Sequence, residues 1–176
     1  MVKRTAALIL TLFSLAAFTV FSTSGVASAT GAVTKSAVKT QTRTVYIKQM
    51  KSVDGKVRIT VDPIGWYMGK DADLKFKERE PKAYKEIGGA PDGYYITNDS
   101  KRTVSYPVAA SAKVMMQIYD RTGKVEDIDL KWNEHVSLKK FQSIYRNTKL
   151  MDVREFPYHI TIKNGQVIKI VQQFVP

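Results

Sequence analysis

The stretch that decides the fold is YHITIKNGQVIKIVQQFVP, residues 158–176. Two runs rich in β-branched residues flank Asn164-Gly165, a pair typical of a type I′ turn, because both central residues must adopt positive φ. The sequence therefore predicts a closing β-hairpin whose turn sets the register. The pairs expected on one face are Ile162–Val167, Ile160–Lys169 and Tyr158–Val171. The residues expected on the other face are His159, Thr161, Ile168 and Ile170.

His159 within this hairpin is one of only two histidines in the chain. A general base or a metal ligand needs partners that converge on it from elsewhere, and the only other histidine is His135. The chain contains no His-Glu-x-x-His or similar metal-binding spacing. We therefore interpret His159 as a cross-strand packing residue with a hydrogen-bonded ring.

The residues upstream of this hairpin also alternate between apolar and polar types. Residues 43–50 and 57–61 alternate around Asp54-Gly55, which predicts a first hairpin that ends at Asp62-Pro63. Residues 70–89 are rich in helix formers but are interrupted by Pro81, which predicts one or two short helices.

The middle of the chain predicts short strands and one capped helix. The expected strands are residues 94–98, 103–106, 113–119 and 126–131. Ser137 is a suitable N-cap for a helix over residues 138–145, whose apolar residues follow helical spacing. This order predicts a mostly β protein, a small antiparallel barrel or strongly bent sheet. The nearest analogue is an oligonucleotide/oligosaccharide-binding (OB) type barrel with one or two short helices.

The first 29 residues have the pattern of a secretion signal. Lys3 and Arg4 precede an apolar run, and small residues lead to the A-x-A site at residues 27–29. We therefore expect residues 1–29 to be a signal peptide, 30–42 a disordered tether, and 43–176 a single β-rich domain. We expect a secreted protein without a transmembrane segment after signal removal, since the apolar run is short for a membrane anchor.

Composition limits the chemistry that is available. There are no cysteines, which excludes disulfides, thiolate metal sites and a lipid-bearing cysteine. The signal holds two of the 28 basic residues and none of the 16 acidic ones, so the remaining chain has a net charge of +10. Such an excess favours polyanions, which outside a cell are wall polymers and lipid headgroups more than nucleic acid, although charge can also serve solubility alone.

No catalytic or metal-binding motif is present. Glu126, Asp127 and Asp129 form the densest acidic group, but strand alternation would separate Glu126 from the other two, which favours a solvated face. Asp71-Ala-Asp73 lacks the glycine and the final Glu of a calcium loop. The sequence therefore predicts a protein that is not an enzyme and has no catalytic, cofactor or metal residues.

Two aromatic pairs next to basic residues form the candidate ligand surface, because sugars and bases stack on exposed rings. This possible ligand surface comprises Trp66, Tyr67, Lys70, Tyr94, Tyr95, Lys101 and Arg102. Neighbours along a strand point to opposite sides, so one ring of each pair can instead belong to the core.

Several short motifs carry a resemblance to a known group of proteins. These are residues 62–69 (DPIGWYMG), 91–98 (PDGYYITN), 106–108 (YPV) and the ending from Asn164 to Pro176. With them the chain, over most of residues 43–176, resembles small secreted proteins of Gram-positive, Bacillus-like bacteria. The resemblance implies a compact β domain outside the membrane and implies no activity or site.

These observations together predict an exported, basic, non-enzymatic domain that acts by binding at the cell envelope. The expected partner is an anionic cell-wall polymer or another envelope component, and the sequence does not indicate an oligomeric state. The alternative is an extracellular hydrolase or an inhibitor of one. A nucleic-acid-binding barrel fits the charge and the aromatic residues but is poorly matched to an export signal.

Overall fold

The computed structural model describes residues 38–176. The predicted signal peptide and residues 30–37 of the predicted tether lie outside the described residues. Within residues 38–176, no helix is long and apolar enough to cross a membrane.

The described part of the chain forms eight strands and three α-helices. The strands are β1 (Thr40–Val53), β2 (Lys56–Pro63), β3 (Gly65–Met68), β4 (Tyr94–Thr97), β5 (Val104–Met116), β6 (Glu134–Val136), β7 (Pro157–Lys163) and β8 (Gln166–Gln172). The helices are α1 (Gly69–Arg79), α2 (Pro81–Ile87) and α3 (Leu138–Arg146).

Five strands close into a barrel in the order β1-β2-β5-β8-β7, with β7 pairing back to β1. The β5–β8 pair is parallel and the other four pairs are antiparallel. Helix α3 lies between β5 and β7 in the chain. This strand order, with one parallel pair and a helix before the fourth barrel strand, is that of an OB-type barrel, so the predicted fold class is confirmed.

Both predicted two-residue turns are present. Asp54 and Gly55 adopt φ of 51° and 72°, and Asn164 and Gly165 adopt 51° and 77°. Positive φ at both central residues is the type I′ pattern, which matches the twist of the strands that it joins.

Gly165→Val is expected to lower the free energy of unfolding by about 1–3 kcal/mol, because a β-branched residue is strained at positive φ. A Cβ at Gly165 would meet nothing within 4 Å, so the cost comes from the backbone and not from a clash. Chemical denaturation of the variant measures this cost. Gly165→Asn is the matched control, and an equal loss in both variants would contradict the assignment to backbone strain.

The register of the closing hairpin is predicted correctly only next to its turn. An irregularity between Thr161 and Ile162 shifts every pair farther from the turn by one residue. The observed pairs are Ile162–Val167, Ile160–Ile170 and Tyr158–Gln172. The predicted pairs Ile160–Lys169 and Tyr158–Val171 are therefore wrong. Ile170, predicted on the face of His159, is instead fully buried in the barrel.

The first strand begins before the predicted start of the domain. Thr40 pairs with Lys163, and Gln41 and Thr42 continue the ladder with β7. The predicted tether boundary at residue 42 is thus three residues too late, because the partner strand is more than a hundred residues away in the chain.

Strand β5 replaces two of the predicted strands. It runs without a break through Pro107 and the small residues that follow, and it pairs with β2 at its start and with β6 and β8 at its end. The proline is tolerated at the last pair with β2, where the ladder ends.

The predicted strand over residues 126–131 is wrong. Residues Val125–Asp127 form a 3-10 turn, and residues 128–133 carry no strand. The predicted helix over 138–145 is confirmed as α3, and the Ser137 side chain accepts a hydrogen bond from the Lys140 backbone N–H.

A small unit of β3, α1, α2 and β4 is inserted between barrel strands β2 and β5. Pro81 is the first residue of α2 and separates the two short helices, as the sequence predicts. The unit has its own small core around Ala72, Phe76 and Ala90. The main core fills the barrel and is closed by α3, whose Phe141 is fully buried.

Candidate functional site

The predicted ligand surface is divided by the β3–β4 hairpin. Tyr67 pairs directly with Tyr95, and both rings pack towards the small core of the inserted unit. The Tyr95 ring lies 5.6 Å from the Phe76 ring, and its hydroxyl donates a hydrogen bond to Glu80 at 2.9 Å. Two of the seven residues are thus occupied in holding the inserted unit together.

Trp66 and Tyr94 lie on the opposite face of the same hairpin. Their rings stack at 5.0 Å with an interplanar angle of 14°, and the Trp66 ring meets the His159 ring edge-on at 6.0 Å. Both residues are partly buried. This aromatic pair therefore fixes the inserted unit against the outer face of the barrel and keeps a partly accessible ring surface.

His159 is held by two hydrogen bonds on that outer face. Its Nδ1 is 3.0 Å from the Thr44 hydroxyl and its Nε2 is 3.1 Å from Gln173 Oε1. The Gln173 amide nitrogen donates to the Phe174 carbonyl, so the Gln173 side-chain oxygen is the acceptor that faces His159 Nε2. The predicted packing role with a hydrogen-bonded ring is confirmed.

Neither histidine has a carboxylate partner within 4.0 Å in residues 38–176. His135 is exposed on β6, opposite Met115.

The three basic residues of the predicted surface are exposed and lie on two different segments of the chain. Lys70 lies in the first turn of α1, and Lys101 lies in the loop that leads to β5. Arg102 lines a groove of about 510 Å³ together with Arg43, which the sequence did not single out. Of the seven predicted residues, the structure therefore stacks Trp66 on Tyr94, pairs Tyr67 with Tyr95 on the opposite face of the hairpin, and places the three basic residues elsewhere.

Acidic side chains in and near the predicted acidic group, Asp129 and Glu134, form hydrogen bonds within the chain. Arg121 donates to Glu134 at 2.7 Å and to Asp129 at 3.1 Å, and it lies over the Tyr119 ring. Burial opposes ionisation of Glu134, but hydrogen bonds from Tyr119 and Arg121 outweigh it and lower its pKa below the usual range. Burial, together with the hydrogen bond to Glu134, raises the pKa of Tyr119 to about 12. These groups stabilise the loop that follows β5.

The described part of the chain also contains no cluster of side chains that could hold a metal ion. No three His, Cys, Asp or Glu side chains of residues 38–176 converge as metal ligands. Asp73, which belongs to the Asp71-Ala-Asp73 sequence, accepts a hydrogen bond from the Ala90 backbone N–H at 2.9 Å. That carboxylate ties α1 to the residues that precede β4.

A basic surface that the sequence analysis did not assign lies on the outer face of β1 and β2. Lys51 pairs directly with Arg58, so two cations stand side by side across the ladder. They line a groove of about 210 Å³ with Gln49, Thr60 and Ser105, and no acidic residue lines it. We call this surface, Lys51 and Arg58 with the groove between them, the basic strand face.

The charge of residues 38–176 is unevenly distributed along the chain. Residues 64–134 contain twelve basic and twelve acidic residues. Residues 38–63 contain six basic and two acidic residues, and residues 135–176 contain seven and two. The net charge of +9 therefore belongs to β1, β2, α3, β7 and β8 and not to the inserted unit.

Tyr46 on β1 lies close to a cation, Lys48, and to Tyr94 of the aromatic pair. Lys48 lies over the Tyr46 ring at 5.1 Å and 3.9 Å from Asp62. Burial raises the pKa of Tyr46, and the neighbouring Tyr94 adds to the rise. Tyr46 thus contacts one cation of β1 and neighbours one ring of the aromatic pair.

The signal for the basic strand face was present in the sequence. The Asp54-Gly55 turn fixes the register of the first hairpin, and this register places residue 51 opposite residue 58.

Comparison with known proteins adds no site: no family model, no curated protein and no solved structure matches the chain.

Proposed function

We propose that this protein is an exported binding domain that holds an anionic cell-wall polymer on the basic strand face. The observation that carries the proposal is the direct cross-strand pair Lys51–Arg58. Like charges in directly opposite positions destabilise a sheet, and a bound anion removes that repulsion. Within residues 38–176, neither side chain has a carboxylate within 4.0 Å.

Three further features support a polymer rather than a compact ligand. The groove lies across mostly exposed residues of β1, β2 and β5, which suits an extended chain. The surplus charge continues along β1 to Arg43, which lines the larger groove with Arg102. Neither groove has an aromatic or acidic residue in its lining, so recognition rests on charge and not on ring stacking.

The test is co-sedimentation and titration with purified poly(glycerol phosphate) at several salt concentrations. Apparent affinity should fall steeply as salt rises, because exposed cations are screened over about 8–10 Å at physiological ionic strength. Lys51→Gln with Arg58→Gln should weaken binding roughly 30-fold at low salt, since each cation near an anionic surface contributes about 1 kcal/mol.

The matched control is Lys82→Gln with Lys85→Gln, two exposed residues of α2 in the electrically balanced inserted unit. It removes the same charge and should change the affinity less than about 3-fold, since these cations lie outside the proposed face. Equal losses in both variants would show that net charge alone matters and would contradict the proposed face. Absence of binding at any salt concentration would contradict the proposed function.

A further inference from the structure

A third groove, of about 440 Å³, lies beside strand β5 and shares no lining residue with the groove of the basic strand face. Its apolar lining includes Val57, Val108 and Leu138, and Ala110 of β5 also lines it. Lys56 and Lys139 line it as well, and none of its lining residues is acidic or aromatic. The groove thus combines an apolar floor with two ammonium groups.

The groove coincides with a gap in the barrel ladder. Strand β2 pairs with β5 up to Pro107, and β6 pairs with β5 from Val114. Both neighbours lie on the edge of β5 opposite β8, as the strand order requires. Between them, residues 108–113 have no strand on that edge within the described part of the chain.

The other edge of β5 is also interrupted here. β8 pairs with β5 at Val108 and again only from Lys113, so the intervening residues bulge out of the ladder. Residues 109–112 read Ala-Ala-Ser-Ala, and the two in the middle are exposed. Small side chains leave space for another chain beside this segment of the strand edge.

We propose that the groove binds an extended peptide segment as an added strand on the open edge of β5, with carboxylates of that peptide at Lys56 and Lys139. Unpaired backbone groups flanked by existing strands form a template for strand addition, and alternate side chains of the incoming strand provide specificity. The six residues of open edge span roughly 20 Å, the length of a short strand.

The charge of the groove identifies the kind of peptide. Apolar side chains would face Val57 and Leu138, and acidic ones would face the two lysines, so an alternating acidic and apolar segment is complementary. A second copy of this chain fits poorly, because its own surface near the groove is basic and the described residues carry +9. A phosphate polymer has no N–H groups for the open backbone carbonyls.

The experiment selects binding peptides from a displayed library of random dodecapeptides. The target is the protein purified after expression of the complete sequence. We expect enrichment of alternating acidic and apolar sequences. A synthetic peptide of the consensus, followed by fluorescence polarisation, should bind about 10-fold or more weakly to Lys56→Glu with Lys139→Glu. N-methylation at alternate peptide residues should also reduce its affinity about 10-fold or more, since it removes the ladder hydrogen bonds.

Each alternative gives a distinct result. No enrichment, or equal binding of the methylated peptide, would overturn strand addition. A concentration-dependent dimer that Lys139→Glu abolishes would assign the groove to a second copy and overturn the peptide. Competition by poly(glycerol phosphate) that persists in Lys51→Gln with Arg58→Gln would assign the groove to the polymer. Failure of polymer binding alone would leave this inference unaffected.

Discussion

Replacing Phe141 by Ala is expected to lower the free energy of unfolding by about 3–5 kcal/mol, the largest effect of any single change considered for this protein. The Phe141 ring is fully buried and meets the rings of Tyr145 at 6.3 Å and Tyr158 at 5.8 Å. Truncation would leave a cavity where α3 closes the barrel. Because Tyr145 also donates to the Ile47 carbonyl, the surrounding structure has little freedom to collapse.

Urea denaturation followed by tryptophan fluorescence measures this loss. A domain of this size has a total stability of about 5–15 kcal/mol, so the variant can be partly unfolded without denaturant. Phe141→Leu keeps most of the volume and provides a folded reference. Leu74→Ala on α1, where the side chain is 66% exposed, is the control and should change stability by less than about 0.5 kcal/mol. A Phe141→Ala loss as small as that of the control would contradict a core centred on α3.

The parts of the fold that could be predicted are those whose causes are local in sequence. Positive φ at Asp54-Gly55 and Asn164-Gly165 requires those residue types, so both hairpins were recognisable. The Ser137 cap and the helical spacing after it likewise identify α3. Pro81 separates α1 from α2 for an equally local reason.

The errors involve strand pairing and packing that no local window of sequence shows. Strand β5 remains one strand through Pro107 because β2 and β8 hold it from opposite edges, which no window of sequence shows. Residues 126–131 alternate like a strand but have no ladder partner, and the chain follows the Arg121 hydrogen bonds instead. The register shift after Thr161 places Ile160 and Ile170 together in the barrel, an adjustment set by three-dimensional packing.

The candidate sites show the same division. Alternation along β3 and β4 predicts that the two rings of each aromatic pair face opposite sides, and the structure places Tyr67 and Tyr95 on one side and Trp66 and Tyr94 on the other. The Lys51–Arg58 pair could be inferred from the predicted Asp54-Gly55 turn once the charges on the outer face of the hairpin are considered. The groove beside Ala110 could not be predicted, because it results from where β2 ends and β6 begins along β5.

Replacing Gln172 by Leu is expected to lower the free energy of unfolding by about 2–4 kcal/mol, because it leaves backbone donors without an acceptor. Gln172 is fully buried at the end of β8. Its side-chain oxygen accepts from the backbone N–H groups of Gln117 at 2.8 Å and Ile118 at 2.9 Å, where the chain leaves β5. One amide thus supplies the partners that a continued ladder would have supplied.

The Gln172 effect can be separated from a simple loss of a polar side chain. Its amide nitrogen has no partner within the described residues, so the loss arises from the oxygen alone. Gln166→Leu makes the same chemical change at an exposed position of β8 and should cost less than about 0.5 kcal/mol. Hydrogen exchange should show faster exchange at the amides of Gln117 and Ile118 in Gln172→Leu and unchanged exchange in Gln166→Leu. Unchanged exchange at both amides in Gln172→Leu would mean that another group replaces the lost acceptor, and the parallel β5–β8 pair would then close the barrel without this residue.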